Sequence, residues 1–138
     1  MAEVDDTRMQ ELVAAARAAR TRAYAPYSGF AVGAALLDGE GRIHAGCNVE
    51  NAAYPLGQCA EATALGSLVA AGGTRVAAAV VVGIAPQPVT PCGACRQRLR
   101  EFAADECPVW SADLDAVRAR HTLGELLPAS FGPQHLPR

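Results

Sequence analysis

Apolar positions along the chain fall into blocks whose spacing changes from helical to extended and back. Met9, Leu12, Val13 and Ala16 recur at helical spacing, and Thr7-Arg8-Met9-Gln10 has the form of a capping box, so residues 7–23 are predicted as an amphipathic helix. Ala25-Pro26-Tyr27-Ser28-Gly29 breaks it. From Phe30 to Leu37 the chain is apolar and suits a buried strand; Asp38-Gly39-Glu40-Gly41 is turn chemistry, and Arg42 to Val49 returns as a second strand, which gives a β-hairpin. Residues 50–57 hold Pro55 and Gly57 and read as a loop. Cys59 to Ala71 is rich in Ala and Leu and reads as a helix closed by Gly72-Gly73. Val76 to Ile84 is a continuous β-branched run, the pattern of a central strand covered on both faces. After a loop to Pro91, a third helix is expected from Cys92 to Ala103, with the proline suited to its first turn. Pro108 to Ser111 reads as a short strand, and the tail carries one short helix near Leu123–Leu127.

This order predicts a three-layer α/β/α sandwich around a mixed sheet, with parallel strands joined by right-handed crossovers and the hairpin adding an antiparallel strand. No repeat, low-complexity tract or linker interrupts the chain, so residues 1–138 read as one domain of ordinary size. Hydrophobic residues make up 51% against 19% charged, enough for a core, which excludes wholesale disorder. The formal net charge of −2 leaves no electrostatic footprint for a long nucleic acid. Arg96, Arg98 and Arg100 form the densest basic cluster, and on a helix these positions point to different faces, so they read as solvated surface or subunit contact. Met1-Ala2-Glu3-Val4-Asp5-Asp6 is acidic and lacks an apolar core, so no signal peptide is expected. Val76 to Ala85 is too short an apolar run to cross a bilayer. A cytoplasmic location is the expectation, and in a reducing compartment five cysteines, an odd number, do not form a disulfide framework.

The cysteines carry the chemistry. Cys59-Ala60-Glu61 and Pro91-Cys92-Gly93-Ala94-Cys95 each fall at the predicted start of a helix. Helix N-termini present free N–H groups and a partial positive charge, which favour the thiolate, the form that binds metal. Cys92 and Cys95 on one first turn can aim at one point, and Cys59 can add a third sulfur. Three thiolates suit zinc and leave its fourth position open for water, whose pKa the metal lowers. Glu61, two residues after Cys59, can stand beside that water as a general acid/base without ligating the metal. Two blander readings remain open at this level: a redox pair at Cys92 and Cys95, or a closed four-cysteine zinc site completed by Cys47 or Cys107. Both of the latter read as small buried apolar residues. His44, His121 and His135 lack partners at metal-ligand spacing and read as surface or turn residues. The two-part pattern Cys-x-Glu followed by Pro-Cys-x-x-Cys is the three-cysteine form of the zinc nucleobase deaminase signature.

The chain resembles the small tetrameric cytidine deaminases. The resemblance is carried by five stretches in order: Tyr24 to Leu36, Gly46 to Tyr54, Cys59-Ala60-Glu61, Pro91 to Gln97, and Glu125 to Phe131. It implies a five-stranded mixed sheet and hydrolytic deamination of cytidine and 2′-deoxycytidine to uridine and 2′-deoxyuridine with release of ammonia, a step of pyrimidine salvage. It implies one zinc per chain on Cys59, Cys92 and Cys95, with Glu61 moving protons between the attacking water, ring N3 and the leaving amine. Asn48 and Glu50 match residues that grip the ribose hydroxyls. Phe30 matches a wall of the base pocket, and the backbone of Ala60 and Thr90 matches contacts to the base edge. Tyr54 and Phe131 match residues that reach a neighbouring subunit's site, so a homotetramer with shared sites is implied, with no nucleic-acid or membrane partner. Ala62 departs from the pattern, because many relatives carry Arg there. That arginine offsets thiolate charge, and Arg96 or the helix dipoles are the candidates to replace it. Other readings are a deaminase of another cytosine nucleoside, such as blasticidin S, or a non-catalytic zinc-stabilised binding protein, which would have a closed site and no use for Glu61.

Overall fold

The computed structural model describes residues 4–137; residues 1–3, part of the acidic stretch read above for a signal peptide, and residue 138 lie outside the described residues. Helix α1 spans Asp6–Arg20, β1 Gly33–Asp38, β2 Ile43–Cys47, α2 Ala60–Ala70, β3 Val76–Val82, α3 Gly93–Arg100, β4 Pro108–Ala112, β5 Val117–Thr122 and α4 Leu123–Leu126. Among the described residues no helix is long and apolar enough to cross a membrane.

The sheet order is β2-β1-β3-β4-β5. β1 pairs antiparallel with both β2 and β3, β3 pairs parallel with β4, and β4 pairs antiparallel with β5. β2, β3 and β4 therefore run in one direction, with α2 and α3 as the crossovers between them. The expected parallel run survives as strand direction, but β1 is inserted between β2 and β3, and only β3 and β4 are parallel neighbours.

Two core layers follow from the alternation along β1. Ala34 and Leu36 face α2 and pack with Ala64, Leu68, Ala79, Leu99 and Val109. Ala35 and Leu37 face the other way and pack with Leu12, Val13 and Ala16 of α1, and with Val80 and Trp110. Every residue of β1 and β3 is buried, as a strand covered on both faces requires. The three-layer sandwich expected from the pattern is thus the observed fold.

Three local expectations are corrected. The N-cap of α1 is Asp5, whose side chain accepts from Arg8 N–H at 2.8 Å, so the cap lies two residues before the expected box. A full capping box instead opens α4, between Thr122 and Glu125. Phe30 stands outside the first strand, which begins at Gly33. β5 has no counterpart in the hydrophobic pattern, because Val117-Arg118-Ala119-Arg120-His121-Thr122 is an edge strand and needs little apolar surface. Its hold on β4 comes from the ladder and from Arg120, whose guanidinium lies 5.6 Å from the Trp110 ring centroid.

The histidines are also better placed than expected. His121 lies on β5, opposite Val109. His135 stays in a turn, stacked on Phe131. His44 lies on β2 and bonds Asp38 Oδ2 at 2.9 Å. Asp38 is a buried carboxylate at the hairpin turn. It also accepts from Glu40 N–H at 2.8 Å, Arg42 N–H at 2.9 Å and the Arg42 guanidinium at 2.8 Å. Burial pushes its carboxyl up, but the bonds from His44, from the Arg42 and Glu40 backbone and from the Arg42 side chain outweigh that and hold it far below the usual range.

Because Asp38 is more acidic folded than unfolded, it stabilises the fold at neutral pH, and that contribution fades as pH falls below about 4. Replacing it with Asn should cost about 1–3 kcal/mol at pH 7, the range for disturbing a charged hydrogen-bond network. Thermal unfolding of parent and Asp38→Asn across pH should show a gap that narrows in acid; a constant gap would contradict the assignment.

Candidate active site

Strands β2 and β3 run the same way, so the helices that follow them start at the same edge of the sheet. Cys59 is the N-cap of α2 and Cys92 the N-cap of α3; both have extended backbones, and neither side chain caps its own helix. Their sulfurs are left to point outward from the two helix starts. Cys95, in the first turn of α3, is buried. The three sulfurs lie within 4.8 Å of one another, and Cys59 Sγ is 3.8 Å from Cys92 Sγ.

Those distances suit one metal ion. Tetrahedral zinc with Zn–S bonds of about 2.3 Å sets its sulfurs about 3.8 Å apart. The electrostatics agree. Burial pushes the Cys95 thiol up, and the charges of Glu61, Cys59 and Cys92 add to it. Burial also raises Cys59, against a hydrogen bond with Cys95. At Cys92 burial opposes ionisation, but the Cys95 N–H and the thiols of Cys95 and Cys59 outweigh it and hold it lower. Three thiolates this close do not coexist without a cation, and the cluster fits one zinc per chain. Cys47, on β2, and Cys107, before β4, stand outside the cluster. Cys107 is buried and its thiol is pushed up to about 12, against the pull of Arg75. Among the described residues, no fourth cysteine joins the cluster to close it.

Glu61 follows Cys59 into the first turn of α2 and is 5% exposed. Burial pushes its carboxyl up, while its own backbone N–H and the charge of Arg98 pull the other way. A cavity of about 270 Å³ opens over these groups. Phe30, Asn48, Glu50, Ala60 and Thr90 line it together with Cys59, Glu61 and Cys92. Ser28, Val32, Val81 and Val89 complete the wall and were not marked by the sequence. Val32 and Val81 read as strand core, Val89 as loop and Ser28 as part of a turn.

The polar wall is fixed by the loop before β1. Asn48 Oδ1 accepts from Val32 N–H at 2.9 Å, and Asn48 Nδ2 donates to Phe30 O at 2.8 Å. Glu50 accepts from Tyr27 N–H at 2.9 Å, from Ser28 N–H at 3.1 Å and from the Ser28 hydroxyl. The Ser28 hydroxyl and N–H, with Tyr27 N–H, hold the Glu50 carboxyl below its usual value against a small cost of burial. Each side chain keeps hydrogen-bonding capacity to spare.

Tyr54 and Phe131 do not line this cavity. Tyr54, 74% exposed, borders an adjoining hollow with Tyr27, Ser28 and Glu50. Phe131, 55% exposed, stands by the C-terminal tail, where Gln97 Nε2 donates to its carbonyl at 2.9 Å.

Of the α3 arginines, expected as solvated surface or subunit contact, Arg98 is exposed, whereas Arg96 and Arg100 are half-buried and bonded within the chain. Arg96 donates to Pro91 O at 2.7 Å, to Leu126 O at 2.8 Å and to Thr90 Oγ1 at 3.1 Å. Arg100 donates to Ser130 Oγ at 2.8 Å. Arg98 Nη1 lies 3.5 Å from Cys95 Sγ. Arg96, expected as the possible partner of the thiolates, instead ties loops together.

Metal removal should leave the thiols unequal. Brief alkylation of metal-free protein with peptide mapping should label Cys92 first, since it is exposed and held low, and the buried Cys95 and Cys107 last. Equal labelling would contradict this geometry.

Residues 6–111 match the family model described as the cytidine and deoxycytidylate deaminase zinc-binding region. A cytidine deaminase of Sporosarcina psychrophila is 43% identical over 93% of this chain and 94% of that protein. One of Mycobacterium tuberculosis is 46% identical over 84% of each. The crystal structure of a Burkholderia pseudomallei cytidine deaminase superposes with a TM-score of 0.83 at 48% identity, covering 88% of this chain and 98% of that one. A likeness of this extent, present in sequence and fold alike and spanning the segment that holds the three cysteines, shows that the chain belongs to the cytidine and deoxycytidylate deaminase family.

Proposed function

We propose that this chain is a cytidine deaminase, a single catalytic domain over residues 1–138 that hydrolyses cytidine and 2′-deoxycytidine to uridine and 2′-deoxyuridine plus ammonia. The observation that carries this reading is one cavity in which the sulfur cluster, Glu61, and the Asn48 and Glu50 side chains all meet. Zinc held by Cys59, Cys92 and Cys95 supplies the Lewis acidity that makes water a nucleophile near neutral pH.

The chain's own residues do the rest. Glu61 takes a proton from the attacking water and delivers one to N3 as the C4–O bond forms. It then carries the remaining water proton to the amino group, which leaves C4 as ammonia. Both water protons are thereby accounted for, one on N3 of the product and one on ammonia. The raised carboxyl of Glu61 suits a group that must both accept and give. Asn48 and Glu50 bind the ribose hydroxyls through the capacity their loop contacts leave free. Phe30 faces the base, and the backbone at Ala60 and Thr90 reads its edge. The Arg96 bond to Thr90 Oγ1 supports that edge.

Tyr54 and Phe131 complete the sites of neighbouring copies in a homotetramer, which is why their own cavity does not use them. The exposed aromatic side chains of Tyr27 and Tyr54, which border the adjoining hollow, support an assembly there. The activity serves pyrimidine salvage in the cytoplasm.

An ultraviolet assay of zinc-quantified protein with cytidine, deoxycytidine and blasticidin S tests the reading. Loss of cytidine absorbance is expected; turnover of blasticidin S alone would overturn the substrate. Glu61→Gln should keep zinc and fold while turnover falls by roughly 10²–10⁴-fold, the contribution of a positioned acid/base. Undiminished activity in that variant would remove Glu61 from the mechanism. For the shared site, specific activity should drop on dilution into the monomeric state; a demonstrably monomeric sample with full activity would refute it.

A further inference from the structure

The sulfur cluster has a charge problem that the cavity wall does not solve. Three thiolates around a divalent zinc leave a net negative charge, and the Glu61 carboxylate lines the same cavity as Cys59 and Cys92. Charge in a buried place is costly unless donors or an opposite charge meet it. Ala62, next after Glu61, offers neither. Arg96, next after Cys95, has its guanidinium bound to Pro91 O, Leu126 O and Thr90 Oγ1.

Arg98 is placed differently. It follows Cys95 by three residues, so the two side chains share one face of α3. Its Nη1 donates toward Cys95 Sγ at 3.5 Å, and Cys95 is the buried member of the cluster. We infer that Arg98 is the charge-balancing residue of this metal centre, a positioning residue that donates to the Cys95 thiolate and offsets the cluster's excess negative charge. A guanidinium suits the task because it stays charged across the working pH range and is weakly hydrated, so it can sit against sulfur at modest cost. Drawing density from that sulfur would leave a bound zinc the stronger Lewis acid, and the positive charge beside the cluster would offset its excess ligand charge.

The inference rests on the zinc site described above, and zinc release to a chromophoric chelator tests both separately. The measurements use holoprotein at neutral pH, for the parent and for Arg98→Gln, Arg98→Lys and Arg22→Gln. The parent should hold one zinc per chain; a parent without zinc would overturn the site and the inference together. Arg98→Gln should lose zinc faster by roughly 10-fold or more, the usual effect of removing a partner behind a metal ligand. Arg98→Lys keeps the charge but not the planar fork and should fall between. Arg22→Gln removes the same formal charge on the exposed turn after α1 and should behave as the parent. A zinc-loaded parent with Arg98→Gln releasing at the parent's rate would overturn the inference alone. So would equal release from the Lys and Gln variants, or equal release from Arg22→Gln.

Discussion

Three sulfurs within 4.8 Å of one another are the constraint around which this molecule is arranged. Such a cluster must be built on rigid supports, must gather donors, and must be filled by a cation. The fold meets the first need by giving β2 and β3 the same direction, so that α2 and α3 begin at one edge of the sheet. Neither Cys59 nor Cys92 spends its side chain on capping, although each occupies the cap position. The usual cap residues, Ser, Thr, Asp or Asn, would satisfy the helix and leave no sulfur. Here the helix start serves the metal site.

Close packing keeps those supports in register. Gly46 on β2 lies against the first turns of α2; a Cβ there would stand 2.5 Å from the Ala64 backbone nitrogen. Any side chain at that place would push α2 from the sheet and carry Cys59 and Glu61 with it. The polar wall of the cavity is held in the same spirit. Asn48 and Glu50 fasten the loop that bears Ser28 and Phe30, so that wall of the cavity is held in place by its own hydrogen bonds. On the far side, Arg96 links the loop before α3 to the end of α4. The C-terminal stretch is thereby part of the site's frame, because Arg96, Gln97 and Arg100 of one short helix all bond it.

Much of this was legible along the chain. Continuous apolar runs marked β1 and β3, since a strand buried on both faces has no polar positions to show. The hairpin turn was visible because Asp38-Gly39-Glu40-Gly41 holds a glycine that takes the left-handed conformation the turn needs, at Gly41. The two cysteine motifs were legible because metal ligation demands fixed residue types at fixed spacing. β5 was not, because an edge strand held by its ladder and by Arg120 on Trp110 needs no apolar periodicity. The N-cap was misplaced for a related reason: Asp5 and Thr7 are both competent caps, and only the path of the backbone chooses between them.

By itself, then, the sequence determined the succession of elements apart from β5, a three-cysteine set that fits zinc, and the carboxylate beside it. These are local properties, written in the spacing of neighbouring residues. Tertiary structure alone decided what depends on residues far apart in the chain. It inserted β1 between β2 and β3, turned Phe30 from strand core into cavity wall, and bound Asn48 and Glu50 to the loop they face. It also gave Arg96 to the loops and Arg98 to sulfur, a division that no spacing rule contains. Which cation serves a buried charge depends on which partners each can reach, and that becomes defined only when the helix is packed in place.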